Sequence, residues 1–224
     1  MRNIAVLQFP GTNCDLDTQY AFEKLGCNTT LVWHKTSTLP DNTDLVVVPG
    51  GFSYGDYLRS GAIAKFSPIM EAVIAHANRG GKVLGICNGF QILTEVGLLP
   101  GALKRNIGLH FISKFQTLKV INNSNEFLQK CDKDEIINIP IAHADGNYYI
   151  DEEGYKELEA HEQILVRYCN EAGEPVVVNG SVTSIAGICN RTKNVFGLMP
   201  HPERALESIL GSEDGIKMLE GLIA

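Results

Sequence analysis

The chain has 224 residues, enough for one large domain with a full hydrophobic core and short for two. Hydrophobic residues make up 44% of it and charged residues 20%, which excludes a disordered or fibrous class. The net charge of −7 argues against non-specific binding to nucleic acid or to an anionic membrane, since both need Lys and Arg to neutralise phosphates.

Along the chain, the opening MRNIAVLQFPG holds an apolar run of only Ile4 to Leu7, too short for a signal-peptide core. Nothing approaches the roughly 18 uninterrupted apolar residues of a membrane-spanning helix. Ile4 to Phe9 reads as a strand and Leu16 to Leu25 as a helix, with Gly26 in the stop position. Thr29 to Trp33 and Asp44 to Val48 read as the next two strands. Ile69 to Asn78 reads as a helix ended by Gly80-Gly81, Lys82 to Ile86 as a fourth strand, and a helix begins at Asn88. Continuous apolar strands between helices predict a parallel sheet covered on both faces, with its site at the carboxyl ends of the strands. In the second half, Phe115 to Ile121, Glu135 to Ile141, Ile164 to Cys169, Ser184 to Ile188 and Val195 to Leu198 read as shorter strands, part of them antiparallel. Helical patterns close the chain at Pro202 to Leu210 and Asp214 to Ile223. The expected fold is α/β: a three-layer sandwich with a mostly parallel, flavodoxin-like central sheet flanked by helices, plus a smaller antiparallel portion. No repeat or linker interrupts it, so residues 1–224 are read as a single domain.

The segment Val83-Leu84-Gly85-Ile86-Cys87-Asn88-Gly89-Phe90-Gln91 places a cysteine between an apolar strand and a helix, with glycine two residues to either side. A sharp strand-to-helix turn pushes its central side chain out at the top of a sheet, and any side chain at the −2 or +2 position would collide. The helix start favours negative charge, which suits a thiolate at Cys87. The six cysteines include no C-x-x-C pair and read as reduced thiols, which points to the cytoplasm. Cys87 is then the candidate nucleophile and the other five read as small core residues.

A nucleophile of this kind needs a base. His76 and His161 read as surface residues, and His34 and His110 have no distinctive context. His201 lies just past an apolar strand and between Pro200 and Pro202, which fix its backbone. Glu203, two residues on, can accept the second ring N–H and so complete a nucleophile–base–acid set. The loop Val48-Pro49-Gly50-Gly51-Phe52-Ser53-Tyr54-Gly55-Asp56 follows a buried strand, and its adjacent glycines can present N–H groups to a developing oxyanion. The N–H of Gly51 or Phe52, paired with that of Asn88, is the expected hole. There is no phosphate-binding G-x-x-x-x-G-K-[ST], no G-x-G-x-x-G and no Cys/His set with zinc spacing, so no nucleotide, cofactor or metal site is expected in this chain.

Together, G-I-C-N-G-F-Q at 85–91 and M-P-H-P-E at 199–203 resemble the class I (triad) glutamine amidotransferases. The stretches P-G-G-F-S-Y-G-D-Y-L-R-S-G-A at 49–62, A-H-A-D-G-N-Y at 142–148 and G-L-M-P-H-P-E-R-A at 197–205 are similar to those of family members that serve purine biosynthesis. The similarity runs from F-P-G-T-N-C-D at 9–15 nearly to the end. The resemblance implies that Cys87 attacks the carboxamide of L-glutamine, that His201 shuttles the proton to departing ammonia, and that water hydrolyses the thioester. It further implies that Gln91 and the His143 segment contact the amino-acid end of glutamine. ATP, Mg and the acceptor would be held by a separate large synthetase subunit, with a small accessory subunit completing the complex. Two departures stand out: the family's A-H-G-[ED]-G has Ala144 here, and its N-P-N-G-S reads Val177-Val178-Asn179-Gly180-Ser181. The competing expectations are a glutaminase for a different amination and a catalytically inactive interaction subunit on the same fold. The intact Cys87, His201 and Glu203 set speaks against the second.

Overall fold

The computed structural model describes residues 1–224. The chain forms eleven strands and five α-helices, and through the first half strands and helices alternate as the hydrophobic pattern predicts. The strands β1 (Asn3–Gln8), β3 (Leu45–Val48) and β4 (Lys82–Ile86) are apolar on both faces and almost wholly buried, because helices cover them above and below. In contrast β2 (Asn28–Trp33) alternates exposed and covered residues, the pattern of an edge strand. The helix α1 (Asp15–Lys24) packs on β1 and β2, α2 (Ile69–Asn78) on β4, and α3 (Asn88–Glu95) on β3 and β4.

The large sheet has nine strands. Its parallel part runs β2-β1-β3-β4 and continues into β11 (Val195–Leu198), which pairs parallel to β4 from Val195 opposite Val83 to Leu198 opposite Ile86. The first four follow the flavodoxin order. Direction then reverses: β10 (Ile185–Cys189), β9 (Ile164–Tyr168), β6 (Ile112–Val120) and β7 (Ile136–His143) are antiparallel in turn. The sheet is therefore the expected α/β arrangement with an antiparallel portion fused to its edge. One hydrophobic cluster reaches from Ile4 to Leu222. No helix is long and apolar enough to cross a membrane.

The second half departs from expectation in three places. The pattern at Pro202 to Leu210 is not an α-helix; it forms two 3₁₀ turns, Pro202–Arg204 and Ser208–Leu210, and a Glu207–Ser212 bridge follows. An α-helix there would carry Glu203 away from His201. The helix α4 (Glu152–Ala160) was not expected, because Leu158 is its only buried residue and no apolar stripe announces it. Asp151 caps it, its Oδ1 accepting the Gly154 N–H at 2.8 Å. Finally, β5 (Ala102–Lys104) and β8 (Asn147–Tyr149) form a two-stranded ribbon too short to leave a periodicity. The last helix, α5 (Gly215–Ile223), falls where the pattern places it.

Candidate active site

At the carboxyl end of β4 the backbone of Cys87 adopts φ 50° and ψ −105°, a conformation costly for a residue with a side chain. Packing holds it there. A Cβ at Gly89 would lie 1.8 Å from the Val48 carbonyl oxygen, and one at Gly85 would lie 2.7 Å from the Gly89 carbonyl carbon. Both glycines are thus required by the approach of α3 to β3 and β4. The Cys87 thiol is 5% exposed and lies 3.6 Å from the Ala142 carbonyl oxygen.

His201 leaves the end of β11, its N–H donating to the Pro140 carbonyl at 2.8 Å. The turn beginning at Pro202 folds Glu203 back, and His201 Nδ1–H donates to Glu203 Oε1 at 2.6 Å. That acceptor fixes the tautomer. Both side chains are almost fully buried, and His201 Nε2 has no protein partner. Burial alone disfavours the imidazolium, but the neighbouring Glu203 carboxylate and the Cys87 sulfur outweigh it and push the His201 pKa up. The arrangement favours the imidazolium form of His201.

The glycine loop closes over these groups. A Cβ at Gly50 would lie 2.8 Å from His201 Cε1 and 3.4 Å from Cys87 Cβ, so only glycine fits. The Phe52 N–H donates to the Gly11 carbonyl at 3.0 Å and the Ser53 N–H to Asn88 Oδ1 at 3.1 Å. Of the two loop donors expected for an oxyanion, Phe52 is therefore engaged, and Gly51 remains to pair with Asn88. Asn88 is the first residue of α3, where an N–H has no acceptor in a preceding turn.

Around Cys87 and His201 lies a cavity of ≈140 Å³, lined also by Gly51, Phe52, Phe111, Ala142, Arg204, Asn13 and Cys14. Gln91 and His143 stand behind it. The Gln91 amide spends both ends inside the protein, accepting from Asn88 Nδ2 and donating to the Asp145 carbonyl, each at 2.8 Å. His143 Nδ1 lies 3.2 Å from Asn106 Oδ1, and burial together with the charge of His201 lowers its pKa to about 4. Asp56, in the glycine loop, is pushed up to about 6 by burial and then by Asp145.

The sequence reading missed Asn13, Cys14, Phe111, Ala142 and Arg204. The signal for two of them lies in F-P-G-T-N-C-D at 9–15, a segment whose local pattern points to no chemistry by itself. In the structure that segment braces the glycine loop: Cys14 N–H donates to the Gly50 carbonyl at 3.3 Å, and Thr12 bridges Gly51. Cys14 is thus no mere core filler. Its thiol accepts from Arg204 Nη2 at 3.0 Å, and burial, then Glu203, pushes its pKa up. His34 also gains a context, buried against Tyr54 Oη at 2.8 Å and Ser67 Oγ at 3.2 Å. His76 is half-buried beneath Gly81 instead of lying free on the surface. The departures from the family pattern cost nothing locally. Ala144 is not in the left-handed region, and Asn179 and Ser181 both keep bonds to the Gly146 carbonyl, at 2.7 and 3.2 Å.

Comparison with known proteins gives the family of the chain. Residues 1–214 match the family described as the CobB/CobQ-like glutamine amidotransferase domain. The chain is 68% identical to phosphoribosylformylglycinamidine synthase subunit PurQ of Sulfurimonas denitrificans over 98% of each chain. It is 64% identical to the subunit of the same name from Wolinella succinogenes, over 98% of this chain and 99% of the other. A structure of PurLQS from Thermotoga maritima contains a chain with 43% identity and a TM-score of 0.88, covering 99% of this chain and 97% of that one.

Proposed function

The chain belongs to the CobB/CobQ-like glutamine amidotransferases, and from that premise we propose that it is the glutaminase subunit of a phosphoribosylformylglycinamidine synthase. Residues 1–224 act as one amidotransferase domain. The observation that carries the reading is the meeting of Cys87 and His201 at one cavity, with His201 Nε2 unpartnered and its Nδ1 held by the buried Glu203.

In this mechanism the Cys87 sulfur attacks the carboxamide carbon of L-glutamine, while its proton resides on His201 Nε2. The oxyanion is met by the N–H groups of Gly51, in the glycine loop, and Asn88, at the start of α3. Collapse of the tetrahedral species breaks the C–N bond, and His201 returns the proton to the leaving nitrogen as ammonia forms. His201 then takes a proton from water, which attacks the glutamyl thioester; glutamate leaves and Cys87 is restored. Glu203 holds the imidazole and balances its charge throughout. Gln91 joins Asn88 to the loop carrying Asp145 and keeps the elbow and the His143 segment in register.

The ammonia passes to a large synthetase subunit, which uses ATP and Mg to convert formylglycinamide ribonucleotide to formylglycinamidine ribonucleotide in purine biosynthesis. A small accessory subunit completes the assembly. No cofactor is assigned to the present chain. Six free cysteines suit a reducing cytoplasm. The test is ammonia release from glutamine by the purified chain, alone and then with both partner subunits, ATP and formylglycinamide ribonucleotide. Low release alone, rising strongly with coupled product in the mixture, is expected. Release that ignores the partners would move the protein to another amination.

A further inference from the structure

Two thiols face the catalytic cavity, and the mechanism uses only one. Cys14 comes from the loop before α1, Cys87 from the elbow after β4 and His201 from the turn after β11, so no sequence spacing could announce the set. All three line the same ≈140 Å³ cavity. A Cβ built on Gly50 would sit 3.1 Å from Cys14 Sγ, 3.4 Å from Cys87 Cβ and 2.8 Å from His201 Cε1, so the three side chains surround one small glycine. One ligand atom from each of Cys14, His201 and Glu203 also lies within 4.8 Å of the others. Around a tetrahedral zinc ion, sulfur and nitrogen ligands stand about 3.3–3.8 Å apart, following from bonds of about 2.3 and 2.0 Å. Cys14 and His201 thus stand near ligand spacing, and Cys87, which shares the cavity but not that cluster, reaches it by turning its side chain about the Cα–Cβ bond.

The surrounding groups suit a metal as well. His201 is 1% exposed and its Nε2 has no partner, while Glu203 grips Nδ1 at 2.6 Å. A carboxylate on the far nitrogen of a histidine is the outer-shell arrangement that orients zinc-binding imidazoles. Arg204 Nη2 lies 3.0 Å from Cys14 Sγ, as an N–H donor to a metal-bound sulfur would. Two thiolates would neutralise a divalent ion.

We propose that Cys14, Cys87 and His201 form a binding site for a soft divalent cation of the zinc class, which blocks the cavity when occupied. The ion takes the sulfur lone pair of Cys87 and the free nitrogen of His201, so the nucleophile and the base are lost together. On binding, Cys14 gives up its thiol proton and His201 the Nε2 proton it holds for Cys87, both to solvent, and each sulfur forms one metal–sulfur bond. Cys14 is the residue that distinguishes this site from the bare nucleophile–base pair. Metal binding is read directly, so its failure and a failure of the glutaminase assignment are separate results.

The test titrates the chelator-washed full chain with cobalt(II), whose tetrahedral thiolate complexes absorb in the near ultraviolet by sulfur-to-metal charge transfer. Wild type is expected to bind one equivalent in a two-thiolate site. Cys14→Ser and Cys87→Ser should each lower the band to about half or less, Cys27→Ser should not, and zinc should displace the cobalt. In a glutaminase assay, with each variant referred to its own metal-free rate, Cys14→Ser should raise the half-inhibiting zinc concentration at least about tenfold. Should Cys14→Ser fold poorly, wild type still decides: zinc must shield Cys14 and Cys87, and not the other four cysteines, from iodoacetamide. No cobalt band, a band unchanged in both variants, or one lost only with Cys87 would overturn the site.

Discussion

Glu203 gives one carboxylate oxygen to His201 Nδ1 and leaves the other, Oε2, buried with no partner. A group held so completely by its role as acceptor acts on the base and not on the substrate. Glu203→Gln is accordingly expected to lower kcat by about 10²-fold or more with little change in KM, because the amide supports the wrong tautomer. Steady-state kinetics check this; a rise in KM alone would assign Glu203 to binding. His143 makes a second prediction. Its pKa lies at about 4 in the folded protein against 6.5 for the free side chain, with burial the first cause. A depressed pKa means that the unfolded chain takes up the proton first as pH falls. Stability is therefore complete above pH 6.5 and is lost progressively down to pH 4, by on the order of 3 kcal/mol. Urea unfolding of wild type and His143→Asn across that window should show the extra slope only in wild type; identical slopes would contradict it. At this scale the triad was legible because its neighbours are diagnostic: glycines around Cys87, prolines around His201. Asn13, Cys14 and Arg204 were not, since what brings them to the cavity is the pairing of two loops, Thr12 on Gly51, which no local pattern records.

The elements positioning these residues meet at very short range. The start of α3 lies so close to β3 that a methyl group at Gly89 would fall 1.8 Å from the Val48 carbonyl oxygen. Gly89→Ala must push the helix off the strand, at a cost of about 1–3 kcal/mol or more. It also displaces the Asn88 N–H and the Cys87 sulfur. A lowered unfolding midpoint with a collapse in glutaminase rate is expected, and an unaltered midpoint would show that the helix has room. The strands and helices of the parallel half could be read from sequence because each is a continuous apolar run or an apolar stripe stopped by glycine, as with Lys82 to Ile86 and Gly80-Gly81. The antiparallel half was readable as strands but not as pairings. Its helix α4 was invisible because it buries only Leu158. The Pro202 to Leu210 pattern misled for a functional reason: the short turn there serves to return Glu203 to His201, and tertiary contact overrides the helical tendency.

Across the whole molecule, the parallel strands β1, β3, β4 and β11 deliver the site to one edge of the sheet, and the antiparallel strands add the wall that carries Ala142 and His143. The proposed nucleophile comes from β4, the proposed base from β11 and the glycine loop from β3, so the geometry of the site is a property of strand order and not of any one segment. A chain of this kind makes ammonia and passes it on; the amination belongs to its partner. Those two halves can be separated by one substitution. The decisive measurement is product formation by the reconstituted complex carrying Cys87→Ala, supplied with ATP, formylglycinamide ribonucleotide and either glutamine or ammonium chloride. The account predicts that glutamine-driven synthesis falls by on the order of 10⁴-fold or more while ammonium-driven synthesis stays near that of wild type. Glutamine-driven synthesis persisting in the variant would contradict it, since Cys87 would then not be the nucleophile.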